Sequence, residues 1–138
     1  MAEHPEAMSS LALHIAAALE AADLAAFSDL LDPEVHWGPP DAASPTCQTR
    51  DQVLSWYRRG REAGTRARVS ETTVLGDRIL VGLRVTGLQA AGTRTPADRG
   101  GEAQRWQVLT VRDGRVIDIV GFDTRREAMA RAGVPDAR

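Results

Sequence analysis

The spacing of apolar residues changes near the middle of the chain, and this change constrains the fold more than any other feature. In the first half, apolar residues recur every three or four positions, which is typical of amphipathic helices. The second half contains stretches rich in Val, Ile, Leu and Thr that partly alternate with polar residues, as strands do: 67–75, 78–87, 105–112 and 115–122. Helices followed by successive strands predict an α+β domain, with the helices on one face of a curved antiparallel sheet.

Local signals mark the ends of these elements. Three helix starts carry capping residues: Asp23, Thr49 with Gln52, and Thr124 with Glu127. Tight turns are predicted at Gly76-Asp77 and Asp113-Gly114, because Gly and Asp tolerate positive φ angles. The sequence therefore predicts a cone-shaped sheet packed on three N-terminal helices, with a short C-terminal helix after it.

The remaining segments are assigned by composition. Residues 1–8 are predicted to be a mobile leader, and residues 9–138 to form a single domain. A short strand is predicted at 34–37, and 46–48 are interpreted as a second short strand returning beside it. Residues 89–101 are rich in Gly, Ala and Pro, and are interpreted as a mobile loop or a flap over a pocket.

Composition excludes several classes of function. The 17 basic residues, all Arg, nearly balance 19 acidic ones, so no nucleic-acid partner is expected. Without lysine, a Schiff-base mechanism is impossible. A single cysteine, Cys47, and three histidines without metal-pair spacing (His4, His14 and His36) predict no metal and no cofactor. With no signal peptide and no membrane-length apolar run, we expect a cytoplasmic protein with no membrane partner.

Strand alternation predicts which residues line a pocket. One face of the last two strands would carry Arg105, Gln107, Leu109, Val111, Ile117, Ile119, Gly121 and Asp123. The opposite face would carry Trp106, Val108, Thr110, Val116, Asp118, Val120 and Phe122. Slipping the register by one residue would exchange the two faces. The first set mixes polar with aliphatic side chains, as a ligand pocket does. The second set predicts an exposed apolar patch and hence a homodimer.

Three phrases carry a family resemblance: AALEAADLAAFSDLLDPEVHW, CQTRDQVLSWYRRG and RWQVLTVRDGRVIDIVGFDTRREAMARAGV. In this order the chain resembles the nuclear transport factor 2-like superfamily, and most closely its SnoaL-like, polyketide cyclase-like branch. The resemblance implies a cone fold, a frequent homodimer through the outer face of the sheet, and diverse functions.

The catalytic residues of this superfamily do not carry over to this sequence. At the three ketosteroid isomerase-like positions stand Ile15, Trp37 (or Gly38) and Gln107. At the three limonene epoxide hydrolase-like positions stand Leu83, Val85 and Gly121. The His and Asp of SnoaL-like cyclases correspond to Gln107 and Gly121. Tyr57 matches a tyrosine that supports the hydrogen-bond network of the isomerase pocket.

Three residues remain candidates for catalysis. Asp123 could act as an acid or base, because desolvation at the apolar end of the cone would favour its neutral form. Alternatively it is a helix cap beside Thr124, because caps are far commoner than catalytic carboxylates. Gln107 could hold a carbonyl oxygen while negative charge develops there, or be a solvated strand residue. Tyr57 could donate to an enolate, or be a core aromatic with a locally satisfied hydroxyl.

Nine further residues are predicted to contact a substrate: Trp37, Trp56, Ile15, Leu83, Val85, Arg105, Leu109, Ile119 and Gly121. Two functions follow. The first is cofactor-free proton transfer on an apolar, carbonyl-bearing small molecule, as in a cyclase or isomerase. The second is a non-catalytic binding or scaffold domain of the same fold, in which aliphatic residues replace the family's acids.

Overall fold

The computed structural model describes residues 5–21, 23–38, 49–62, 64, 66–86 and 102–132. The helices are α1 (Pro5–Ala21), α2 (Leu24–Leu30), α3 (Arg50–Glu62) and α4 (Arg125–Arg131). The strands are β1 (Leu31–Gly38), β2 (Arg66–Leu75), β3 (Arg78–Thr86), β4 (Glu102–Arg112) and β5 (Arg115–Phe122). The predicted α+β architecture is confirmed. The returning strand at 46–48, Cys47 and the loop at 89–101 lie outside the described residues.

The three predicted capping residues all begin helices. Their side-chain oxygens accept backbone N–H groups of the first turn: Asp23 from Ala26 at 3.0 Å, Thr49 from Gln52 at 3.2 Å, and Thr124 from Glu127 at 3.2 Å. Each bond satisfies a donor that has no partner within the helix. The capping signals therefore predicted three helix starts correctly.

Helix α1 begins earlier than expected, so residues 5–8 of the predicted leader are helical. Pro5 can occupy the first turn, because no backbone N–H is needed there. Met8, predicted to end the leader, is instead almost fully buried. It precedes Leu11 and Ile15 at helical spacing and extends the stripe that faces the sheet.

The five strands form one sheet in the order β1-β5-β4-β3-β2. From β2 to β5 each neighbour is antiparallel, as predicted for 67–122. The turns also agree, with positive φ at Gly76, Asp113 and Gly114. The sheet is nevertheless mixed, because β1 lies parallel to β5. Parallel neighbours need a crossover connection, so local alternation could not reveal this pairing.

Strand β1 starts at Leu31, three residues before the predicted strand, and includes Pro33. Its ladder with β5 is interrupted between Leu31 and His36. Within this interruption the Asp32 carboxylate accepts the backbone N–H of Glu34 at 2.9 Å. Proline is tolerated there because an irregular segment does not need its missing N–H group.

The two faces of the sheet support separate apolar cores. The inner core joins α1, α2 and α3 to side chains of β3, β4 and β5, among them Ile79, Val81, Leu83, Leu109 and Ile119. The outer core joins α4 to Leu80, Val108, Val120 and Phe122. The alternation therefore assigned these faces correctly. The prediction of helices on one face was wrong for α4.

One register shift exchanges two residues between the faces. Thr110 pairs with Asp118, whereas Val111 pairs with Val116, so Ile117 is an extra residue on β5. Such a bulge bends the strand and redirects the side chains beside it. Val116, predicted on the outer face, is therefore buried in the inner core. Ile117, predicted on the pocket face, lines an exterior groove instead.

Helix α4 covers the apolar patch that was predicted to be exposed. Val108, Val120 and Phe122 are at most 9% exposed within a single chain. Both ends of α4 are held to the sheet. Arg125 donates to both carboxylate oxygens of Glu71, at 3.0 and 2.9 Å. Arg78 donates to the carbonyl oxygen of Arg131 at 2.8 Å. The argument for a homodimer through an open patch therefore does not hold.

Candidate functional site

The inner face of the sheet carries a hydrogen-bonded polar pair. Gln107 is 7% exposed, and within the described part of the chain no other polar side chain is as buried. Its Nε2 donates to the hydroxyl oxygen of Tyr57 at 3.2 Å. Strand β4 points Gln107 inward by alternation, and α3 places Tyr57 above it. Buried polar groups require such partners, and the pair marks where a polar ligand atom could be held.

Aromatic rings surround this pair. Tyr57 stacks on Trp37, with ring centroids 4.9 Å apart and planes inclined by 13°. Phe27 meets the edge of Tyr57 at 5.3 Å. Trp56 packs edge-on against Trp37 at 4.4 Å and is 43% exposed. Because α3 carries Trp56 and Tyr57 on adjacent positions, one ring lies at the rim and the other lies inside.

Gly121, the neighbour of Gln107 on β5, leaves the place of a side chain unfilled among the described residues. Gly121 pairs with Gln107 across β4 and β5, so both face inward. A Cβ atom added at Gly121 would meet no atom of the described residues within 4 Å. The site thus combines a buried amide, a phenol, aromatic walls and a gap that a side chain would otherwise occupy.

A second polar pair lies next to this group. Arg105 follows the same inward alternation as Gln107, and its Nη1 contacts Asp123 Oδ1 at 3.0 Å. The Arg105 side chain is 21% exposed and that of Asp123 is 71% exposed. The expected desolvation of Asp123 is therefore wrong, because β5 ends at Phe122 and leaves Asp123 at the solvent edge. The N-cap of α4 is Thr124.

The aliphatic candidates occupy a different place from the polar ones. Five of them are at most 7% exposed and fill the inner core: Ile15, Leu83, Val85, Leu109 and Ile119. They form an apolar base for the site. The structure brings the other candidates to one end of this core: Gln107, Tyr57, Trp37, Trp56, Gly121, Arg105 and Asp123.

Sequence reasoning missed Phe27 as part of the site. Its position on the apolar side of α2 predicted only that it would be buried. Its contact with Tyr57 depends on how α2 and α3 pack together, and periodicity contains no signal for that.

Among the described residues, no group of three or more His, Cys, Asp or Glu side chains could hold a metal ion. None of the described helices is long and apolar enough to cross a membrane.

A separate groove of about 670 Å³ lies outside the inner core. It is lined by Asp32, Glu34, His36, Arg112, Asp113, Arg115, Ile117 and Asp118. Burial raises the pKa of Asp118, while the positive charges of Arg131, His36 and Arg78 oppose that shift. This groove shares no residue with the Gln107 site.

Several solved structures have the same fold. A protein described as a SnoaL-like polyketide cyclase, from Jannaschia sp. CCS1, is 18% identical with a TM-score of 0.67, covering 96% of this chain and 97% of its own. A protein described as a ketosteroid isomerase, from Kribbella flavida, is 19% identical with a TM-score of 0.66. The match covers 87% of this chain and 79% of the isomerase chain. A nuclear transport factor 2-like protein of unknown function, from Mesorhizobium loti, is 21% identical with a TM-score of 0.67. The match covers 88% of this chain and 94% of the Mesorhizobium chain.

At these identities the structural likeness establishes the fold and not the activity. No curated protein sequence matches this chain. The family model of the SnoaL-like domain matches residues 12–119, which is well over half of the 138 residues. The resemblance predicted from the sequence is therefore confirmed, and the chain belongs to the SnoaL-like domain family, with a nuclear transport factor 2-like fold.

Proposed function

We propose that this protein is a cofactor-independent proton-transfer enzyme, of the cyclase or isomerase type, acting on an apolar, carbonyl-bearing small molecule. The observation that carries the proposal is the Gln107–Tyr57 hydrogen bond beside the open space at Gly121. Relatives described as a polyketide cyclase and a ketosteroid isomerase share the fold and support the same class of substrate.

The amide and the phenol suit a carbonyl oxygen. A glutamine amide nitrogen carries two hydrogens and a phenol carries one, so both side chains can donate to a ligand. When a proton leaves the carbon next to a carbonyl, negative charge collects on the oxygen. Donors already placed in an apolar site stabilise that charge more strongly than water does. Trp37 and Trp56 would hold the apolar body of the molecule.

Asp123 would accept the proton. In that step the carbon–hydrogen bond breaks, its electron pair moves toward the carbonyl oxygen, and the proton passes to the Asp123 carboxylate. An isomerase returns the proton to another carbon of the same molecule. In a cyclase the enolate carbon instead attacks a second carbonyl carbon of the same molecule, the π electron pair of that carbonyl moves to its oxygen, and the oxygen takes up the proton from Asp123. The contact with Arg105 keeps the Asp123 carboxylate beside the site.

Non-catalytic binding is the second candidate, and one observation favours it. The Asp123 side chain is 71% exposed and ion-paired with Arg105, so its carboxylate lies at the solvent edge and not inside the apolar site. The buried Gln107–Tyr57 pair would bind a carbonyl group equally well in a protein that performs no chemistry.

A pair of matched probes separates these functions. 2-Tetralone carries an exchangeable proton beside its carbonyl, and tetralin is the same bicycle without the oxygen. Quenching of tryptophan fluorescence measures binding, because Trp37 and Trp56 line the site. We expect 2-tetralone to bind more tightly than tetralin by about tenfold, the contribution of one or two net hydrogen bonds. Gln107→Met removes the amide donors at similar volume and should weaken this preference.

Catalysis is measured by NMR as exchange of the 2-tetralone protons in D₂O above the buffer rate. Asp123→Asn should stop exchange while leaving binding and Tm nearly unchanged, because the side chain is exposed. Asp29→Asn, an exposed carboxylate on α2, is the matched control and should leave exchange intact. Preferential ketone binding without exchange in the wild type would support the binding function. Equal affinity for 2-tetralone and tetralin would contradict both.

A further inference from the structure

The exterior groove lies between β1 and the hairpin that joins β4 to β5. Strand β1 contributes Asp32 and Glu34 to its lining, and the hairpin contributes Arg112 and Arg115. Because β5 lies between β1 and β4 in the sheet, β1 and β4 are about 10 Å apart, twice the spacing of adjacent strands. Carboxylates therefore border one side of the groove, and guanidinium groups border the other.

The two arginines of the groove stand opposite each other in the hairpin. Arg112 and Arg115 are Cα partners in the β4–β5 ladder, and both are exposed. Like charges at directly opposite positions destabilise a strand pair. None of the ion pairs between described residues includes either arginine. A bound carboxylate would relieve this repulsion, because its oxygens can accept hydrogen bonds from both guanidinium groups.

The carboxylates of β1 keep oxygen atoms that the fold does not use. Asp32 accepts the backbone N–H of Glu34 through Oδ1 alone. No described residue donates a hydrogen bond to the Glu34 carboxylate, which is exposed. Asp118, which also lines the groove, already faces three positive groups: Arg131, His36 and Arg78. The unbalanced negative charge of the groove therefore lies on β1.

An apolar side chain lies between the two sets of charges. Ile117 is the extra residue of the β5 bulge, and it lines the groove while remaining half-buried. Because β5 runs between β1 and β4, Ile117 separates the acidic strand from Arg112. Contact with a methylene chain would remove apolar surface of Ile117 from water. The volume of about 670 Å³ is in the range of small-molecule sites.

We propose that this groove binds a small zwitterion, in which an ammonium group and a carboxylate are joined by a short aliphatic chain. The ammonium group would contact Asp32 and Glu34. The carboxylate would bridge Arg112 and Arg115, and the chain would lie over Ile117. The carboxylates of β1 repel a simple anion and the arginines repel a simple cation, so a molecule carrying both charges fits best. The inference is independent of the proposed function, because the groove and the polar pair of the inner face share no residue.

Three compounds with the same aliphatic chain test this inference: 5-aminopentanoate, pentanoate and pentylamine. Binding is measured by titrating the ¹⁵N-labelled protein and following the backbone amide signals of Arg115 and Ile117 by NMR. 5-Aminopentanoate should bind about fivefold more tightly than either singly charged compound, because it gains one further exposed ion pair. This preference should decrease as salt is added, since dissolved ions screen exposed charges.

Variants that remove charge assign each contact. In the double variant Arg112→Gln, Arg115→Gln, 5-aminopentanoate should bind no more tightly than pentylamine. In the double variant Asp32→Asn, Glu34→Gln, it should bind no more tightly than pentanoate. Asparagine keeps an oxygen for the N–H of residue 34, so the local backbone of β1 is retained. Arg126→Gln, an exposed arginine of α4 outside the groove, is the matched control and should keep the preference.

Three results would overturn the inference. Equal affinity of the wild type for 5-aminopentanoate and pentanoate would show that the groove binds anions without recognising the ammonium group. A preference that survives both double variants, or signals that shift only away from Arg115 and Ile117, would place zwitterion binding on another surface. Competition between 5-aminopentanoate and 2-tetralone would contradict a separate site. Failure of the ketone tests, by contrast, bears only on the site of the inner face.

Discussion

Substitution of Gly82 by alanine should destabilise the protein by a local and identifiable clash. A Cβ atom at Gly82 would lie 2.6 Å from Trp106 Cζ3 and 2.8 Å from Ser70 Oγ. Distances this short require one of the neighbours to move. The Arg125 guanidinium, on α4, lies over the Trp106 ring at 6.0 Å from the ring centroid. Moving the indole therefore disturbs the attachment of α4 to the sheet.

The expected magnitude follows from two opposing effects. Overpacking of a folded interior costs about 1–3 kcal/mol. Replacing glycine by alanine restricts the unfolded chain and returns about 0.4–1 kcal/mol. From the midpoints of these two ranges, the net loss in free energy of unfolding is about 1.3 kcal/mol, which corresponds to a decrease in Tm of about 4–5 °C for a domain of this size.

Urea unfolding followed by circular dichroism measures this loss, and Gly121→Ala is the matched control. Gly121 is also a strand glycine, but its added Cβ meets no atom within 4 Å in the described part of the chain, so the stability of Gly121→Ala should change little. A double-mutant cycle tests the cause: in a Trp106→Leu background, Gly82→Ala should lose most of its effect. An undiminished cost in that background would refute the clash with Trp106.

Three further predictions concern charge and assembly. The Arg125 guanidinium lowers the pKa of Glu71, so their contact stabilises the fold above the ordinary value near pH 4.5 and is lost as pH falls through the lowered pKa. Glu71→Gln should therefore lower the urea midpoint at pH 7, and this difference should vanish in acid. Burial raises the pKa of Asp118, so its charged form opposes folding at neutral pH. Asp118→Asn should raise the urea midpoint at pH 7 and have no effect below about pH 3.8, where the unfolded chain is protonated as well. The third prediction is the homodimer. Because α4 covers the outer apolar patch, a homodimer would have to displace α4 or use another surface. A monomeric mass by light scattering at micromolar concentration would contradict the prediction of a homodimer.

Local sequence determined the helix starts, the tight turns and most of the inward and outward faces. Thr49 and Thr124 cap their helices through bonds to residues three positions away, so their role follows from a short phrase. Gln107 faces inward and Val108 outward because successive strand residues alternate. These features depend on the chain within a few residues, and a linear pattern is sufficient to predict them.

Alternation failed where the backbone departs from regular geometry. The extra residue Ile117 places Val116 in the inner core, and a pattern of period two contains no sign of it. The same limit applies to the solvent-exposed position of Asp123, which depends on where β5 ends relative to its neighbours. The sequence identified a carboxylate near the site but could not specify its exposure.

Tertiary structure alone decided which distant elements meet. The parallel pairing of β1 with β5, the position of α4 on the outer face, and the contacts of Tyr57 with Trp37 and Gln107 all join segments far apart in the chain. Apolar burial drives such contacts without specifying a partner, because any matching apolar surface lowers the free energy. The sequence therefore determined which residues could form a polar pair inside an apolar cone. Only the packing of α3 against the sheet brought the amide and the phenol within hydrogen-bonding distance.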